Sequence, residues 1–276
     1  MYIHIGLGKC NTTFLQNNIF PKISKVIGFN YVYKDLIKKF NYLEYIAHPL
    51  EKKSIKFKTK NFISCEILSG DLFYNPHYYK KACIINSRIF SKKSKIIITL
   101  REPKSFIRSV YSEVLSNGFA ITQKKYFISK KNLIKNQKYF FDFKKLSYEN
   151  LIKFYSDRFE TVYIVKMEDT KNLKLWSKIF NNNKILNIKY EDEYINKSLS
   201  SISLMAIFFY NQVLDFFKIK QEYNHKRIVR NTLEKLVIKF GLYRNITISK
   251  NILNAVEKSN SKFYLHLKSG RYTKKN

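Results

Sequence analysis

The sequence predicts an α/β fold, a parallel sheet flanked by helices with a mostly helical C-terminal part. Three observations predict it. The chain opens with a short apolar run, Tyr2 to Ile5, broken by Gly6-Leu7-Gly8 and followed by a helical pattern, which reads as strand, tight loop and helix. Lys95 to Leu100 contains Ile96-Ile97-Ile98, apolar on both faces as in a central parallel strand. Strand and helix patterns alternate as far as Lys166, which implies βαβ units.

In chain order, Phe14, Leu15 and Ile19 recur near helical spacing after Thr12 or Thr13, either of which can cap the helix. Residues 34–47 carry a helical pattern that ends near His48-Pro49, and Asn61 to Cys65 reads as a short strand. Asn75-Pro76 marks a turn and Tyr78 to Phe90 a helix; Pro103 stands at the first turn of the helix after Leu100, where its missing N–H costs nothing. The eight lysines between Ile121 and Lys145, against Asp142 alone, suggest an inserted surface segment or lid. A helix from Ser147 to Phe159, a strand from Thr161 to Lys166 and a helix about Lys171 to Phe180 complete an α/β frame over residues 1–190. No further strand is expected after Tyr190; Leu199 to Ile219, Ile228 to Phe240 and Ser249 to Leu267 read as helices packed beside the sheet. Residues 1–276 are thus expected to form a single domain, with residues 191–276 its helical part.

The formal net charge of +32 attracts polyanions in principle, but only 8 of the 52 basic residues are Arg. Nucleic-acid readers lean on Arg for bidentate base contacts, and lysines spread along the whole chain favour a solvated surface, so nucleic acid is disfavoured as a partner. Peripheral contact with an anionic membrane stays open. Cys10, Cys65 and Cys83 have no paired spacing, which indicates neither a disulfide framework nor a zinc site and fits a reducing, cytoplasmic setting. No leader-like opening and no run of about eighteen uncharged apolar residues occurs; Ile202 to Phe217 is interrupted by Asn211, Gln212 and Asp215.

The loop after the first strand is suited to phosphate. Its amides and the helix N-terminus direct positive partial charge at one spot, and Lys9 adds a full charge. The spacing differs from that of a Walker loop, because Cys10-Asn11 follow Lys9 and the hydroxyl pair Thr12-Thr13 comes afterwards. The form G-x-x-K-x-x-T-T-x-L-Q resembles the 5'-phosphosulfate loop of sulfotransferases that use 3'-phosphoadenosine 5'-phosphosulfate (PAPS). Gly8 stands for the family's usual proline, Cys10 for a hydroxyl residue and Asn11 for a glycine; Asn is the non-glycine residue that best tolerates a left-handed turn.

A second stretch, LREPKSFIRSVYS, places Arg101 one residue beyond a strand, where ligands of open parallel sheets bind, and Ser109 on the next helix. This pair resembles the 3'-phosphate site of the same family, the Arg giving a planar fork and the Ser a hydroxyl. A third, Ser64-Cys65-Glu66, ends the second strand, where glycan sulfotransferases carry a base; an ordinary ion-paired glutamate is an equal reading. His4 competes as base but lies inside the first strand, which favours a packed core histidine. Ser69-Gly70-Asp71 can shape the loop beside Glu66; Glu168 and Asp169 can bond neighbouring loops, though ordinary capping suffices for them; and Lys268 to Arg271 could reach a phosphate but reads chiefly as a solvated tail.

The resemblance implies a P-loop-like fold and sulfuryl transfer from PAPS, with 3',5'-bisphosphoadenosine (PAP) as product and no metal. Lys9 would stabilise the leaving phosphate, Cys10, Asn11, Thr12 and Thr13 would bind the 5' end, Arg101 and Ser109 the 3'-phosphate, and Glu66 would deprotonate a hydroxyl or amine acceptor. A glycan is the favoured acceptor, with other hydroxyl compounds open. A small-molecule P-loop kinase and a non-catalytic polyanion-binding protein remain the alternatives; the lack of an acidic pair suited to Mg²⁺ counts against the kinase.

Overall fold

The computed structural model describes residues 1–33, 59–70, 78–128, 140–142, 146–191, 200–217 and 247–272, with residues 228, 229, 232, 233 and 235. The expectations for 34–47 and Asn75-Pro76, and most of those for 121–145 and 228–240, lie outside these residues.

Among the described residues, five parallel strands and one antiparallel strand form a single sheet. They are β1 (Tyr2–Gly6), β2 (Asn30–Tyr33), β3 (Asn61–Ser64), β4 (Lys95–Leu100), β5 (Thr161–Lys166) and β6 (Gly270–Tyr272), in the order β2-β3-β1-β4-β5-β6. The central position of β1 shows in its pairing on both sides, His4 opposite Ser64 and opposite Ile97. From β1 the chain passes to β2 and β3 on one flank and then to β4 and β5 on the other, so the order reverses at β1. Crevices form at such reversals, outside the carboxyl ends of the strands.

Side-chain alternation sorts the core onto two faces. Ile3, Ile5, Ile96 and Ile98 pack under the helices α2 (Tyr78–Ile89), α3 (Pro103–Ser116) and α5 (Tyr148–Ser156). Tyr2, Phe62, Ile97 and Val165 face the other way, against Phe14, Phe20, Trp176 and Phe180. Phe14 and Phe20 belong to α1, a continuous helical run made of Thr12–Phe14, a π turn Leu15–Ile19 and Phe20–Ile27. Pro21 explains the π turn: proline has no N–H to donate and its ring crowds the carbonyl four residues back, so the ladder widens just before it. Gly28, left-handed at φ 69°, ends the run.

α4 (Gln123–Tyr126) begins what the sequence suggests is a surface insertion, yet Tyr126, Phe127 and Phe141 are buried against Tyr111 and Phe106. The aromatic residues in that lysine-rich stretch anchor its described ends in the core. α6 (Leu173–Phe180), α7 (Ser201–Phe216) and α8 (Lys250–Val256, continued by Glu257–Ser261 and Lys262–His266) match expected helices within a few residues.

Two strands depart from expectation. β2 was hidden because Asn30 to Tyr33 is a short edge strand whose side chains are all at least partly exposed, so it lacks an apolar stretch. β6 corrects the absence of strands after Tyr190; the segment Lys268 to Arg271, read as a solvated tail, keeps Lys268 and Arg271 exposed but is bound to the sheet edge. Gly270, Arg271 and Tyr272 pair antiparallel with Ile164, Tyr163 and Val162, while the Ser269 hydroxyl accepts from the Lys166 amide at 2.8 Å and donates to Asp169 Oδ2 at 2.5 Å. A three-residue strand carries almost no periodic signal; the sheet edge supplies its hydrogen bonds. Among the described residues no helix is long and apolar enough to cross a membrane.

Candidate active site

Three strand ends meet at the reversal: β1 leads into residues 7–11, β3 into a 3₁₀ turn Glu66–Ser69, and β4 into Arg101. β1 can approach α1 closely because Gly6 has no side chain. A Cβ there would lie 2.1 Å from Thr12 Cγ2 and 3.0 Å from both His4 Cε1 and Thr99 Oγ1. The loop then folds back through two left-handed residues, Lys9 at φ 67° and Asn11 at φ 62°. Asn11 adopts the conformation its side chain makes tolerable. It also occupies the N-cap position, so neither Thr12 nor Thr13 caps α1. The first-turn amides of Thr12, Thr13 and Phe14 consequently have no intrahelical acceptor.

The Thr12 hydroxyl is used elsewhere: it donates to Glu66 Oε1, joining the loop to the end of β3. Asn11 Nδ2 donates to Thr170 Oγ1 at 2.9 Å, and Thr170 donates in turn to the Met167 carbonyl, which ties the loop to the segment after β5. Arg101 Nη1 donates to the Lys9 carbonyl at 3.1 Å, and the Arg101 carbonyl accepts from the Tyr148 hydroxyl at 2.9 Å. The guanidinium at the end of β4 thus meets the turn that carries Lys9. Among the described residues one donor of the five is spent on that turn, and Arg101 Nε is buried without a partner.

The Lys9 ammonium forms an ion pair of 2.5 Å with Glu113 Oε2, both side chains being 27% exposed. Burial pushes the Glu66 carboxyl above the ordinary carboxylate value; the Thr12 hydrogen bond and the Lys9 charge oppose this, and the Glu113 charge adds to it. A carboxyl in that state binds a proton more readily than a solvated one, the property asked of a base working near neutrality.

The other candidates divide. Ser109, on α3, is nearly buried and its hydroxyl has no partner among the described residues. It lies one helical turn before Glu113, hence on the helix face toward Lys9. Thr13 is half-buried. The Cys10 side chain points into the core, fully buried, and burial raises its thiol pKa, so only its backbone amide is available to a ligand. His4 is a core histidine, its Nδ1 2.8 Å from Ser64 Oγ and Nε2 3.2 Å from Thr99 Oγ1, and burial depresses its pKa to about 3. Glu168 accepts from the Tyr264 hydroxyl at 2.7 Å and Asp169 from Ser269, both securing the C-terminal segment.

Sequence reasoning missed Glu113 and Thr170. Glu113 was detectable in principle, since its i+4 relation to Ser109 puts it on the same face of a helix already assigned to the site. Thr170 had no such signal, because its contact with Asn11 spans 159 residues of sequence. Among the described residues no group of three His, Cys, Asp or Glu side chains is arranged to hold a metal ion.

Set against family models, curated proteins and solved structures, the chain matches none of them. The α/β class, a mostly parallel sheet flanked by helices, is therefore defined by the coordinates themselves.

Proposed function

We propose that this protein is a PAPS-dependent sulfotransferase on a P-loop-like fold. The observation that carries the reading is the meeting of two strand ends, with the Arg101 guanidinium 3.1 Å from the carbonyl of Lys9. The residues present fit a nucleotide phosphorylated at both ends. Lys9 and the unpaired first-turn amides of α1 suit a 5'-phosphosulfate. The Arg101 Nε and the Ser109 hydroxyl, both without a partner among the described residues, suit a 3'-phosphate.

PAPS supplies the activated sulfuryl group. Lys9 neutralises charge on the bridging oxygen as the sulfur–oxygen bond to phosphate breaks. The amides of Cys10, Asn11, Thr12 and Thr13 bind the 5' end, while Arg101 and Ser109 bind the 3' end. Glu66 accepts the proton of the acceptor hydroxyl or amine as its oxygen or nitrogen bonds to sulfur, leaving PAP. Thr12 orients that carboxylate through its hydroxyl. A glycan hydroxyl is the acceptor we favour, and an anionic membrane surface is a compatible peripheral partner for a chain of net charge +32.

Calorimetry with PAP and with AMP tests the reading. Tighter binding of PAP is expected. Equal affinities would remove the 3'-phosphate site, and Mg²⁺-dependent ATP binding without that preference would favour a small-molecule kinase.

A further inference from the structure

The 2.5 Å pair between Lys9 and Glu113 joins the residue given the central role to one given none. Its setting is fixed from both sides. The Lys9 backbone is left-handed and its carbonyl is bound by Arg101. Glu113 belongs to α3, whose N-terminus is capped by Glu102, accepting from the amides of Lys104 at 2.9 Å and Ser105 at 2.7 Å, and is joined to the C-terminal segment by the 2.8 Å Lys104–Glu257 ion pair. With both partners 27% exposed, the pair is only partly hydrated, so its attraction is less screened than that of a surface pair.

An ammonium in this arrangement cannot contact a phosphate oxygen and keep Glu113 at 2.5 Å without bringing two anionic groups together. Resting on the nucleotide reading above, we infer that Glu113 is a positioning residue for Lys9: its carboxylate aims the ammonium across the loop before nucleotide binds and is displaced by the 5'-phosphate. Binding then includes the work of breaking one ion pair and of leaving a carboxylate beside the ligand. Removing the carboxylate should tighten binding of the product nucleotide. It should also slow transfer, because Lys9 is no longer aimed. Opposite movement of affinity and turnover distinguishes this role from simple support of the fold, which would lower both.

The test is calorimetry with PAP and AMP on the wild-type chain, Glu113→Gln, Lys9→Ala and the double variant, each checked by its melting curve. Glu113→Gln is expected to bind PAP about ten-fold more tightly, roughly 1.4 kcal/mol, and the gain is expected to shrink markedly in the Lys9→Ala background. Glu113→Asp, which keeps the charge but shortens the reach, should give a smaller gain and covers the case in which Glu113→Gln does not fold. Unchanged or weaker PAP binding in folded Glu113 variants, or an equal gain without Lys9, would overturn the inference while leaving the nucleotide site intact. Equal affinity for PAP and AMP in every chain would instead overturn the nucleotide reading, and this inference with it.

Discussion

Lys9 and His4 lie five residues apart and do opposite things with charge. Lys9 stands at the mouth of the loop, its ammonium paired to Glu113; His4 is sealed beneath the loop between Ser64 and Thr99. On the sulfotransferase account, Lys9→Ala abolishes sulfuryl transfer with little change in melting temperature, which a transfer assay and a melting curve measure together. A large loss of folding with activity retained would contradict the assigned role. For His4 the sign follows from its depressed pKa, about 3 in the folded chain. The unfolded chain takes up that proton near the ordinary value of about 6.5, so the contribution to stability is present above that pH and lost as pH falls toward 3. Glu66 acts in the other direction, since a raised carboxyl pKa makes the folded state lose stability as pH rises past the ordinary value. His4→Gln should therefore flatten the fall in melting temperature between pH 7 and pH 4; an unchanged slope would mean that other groups govern acid sensitivity.

At the scale of elements, the first strand, loop and helix were legible from the order of residue types, and Asn11 could be placed in a left-handed turn because few other side chains tolerate one. The details were not legible. The side-chain cap expected of Thr12 or Thr13 is not made: Asn11 takes the N-cap position without a capping hydrogen bond, while Glu66, 54 residues away, claims the Thr12 hydroxyl, a contact no local pattern encodes. The close approach of β1 to α1 gives a direct prediction. Gly6→Ala places a methyl 2.1 Å from Thr12 Cγ2, so the helix start must move. The expected cost is about 1–3 kcal/mol of stability, together with weakened PAP binding as Thr12 leaves Glu66. Chemical denaturation and calorimetry on the same variant check both effects, and neither would change if the two elements could separate freely.

Across the whole molecule, the parallel strands with strong apolar runs were legible, as was the placing of three candidate residues at strand ends. What escaped was long-range closure: β2 and β6 are short edges defined by their neighbours, and the C-terminal residues are drawn back to β5 by Ser269 and the β6 pairing. Ending the chain at Leu267 removes those bonds. It should lower the melting temperature by some 2–4 °C for each kcal/mol lost, whereas an unchanged value would mean that β6 contributes nothing to the sheet.

The central claim is that the end of β4 and the loop after β1 grip the two ends of one nucleotide. Its most direct measurement is the ratio of PAP to AMP affinity in the wild-type chain and in Arg101→Ala. The account predicts a ratio of about ten or more in the wild type, the worth of a charge-assisted phosphate contact, falling toward one when Arg101 is removed while AMP affinity changes little. A ratio of one in the wild type, or one that survives loss of Arg101, would contradict it.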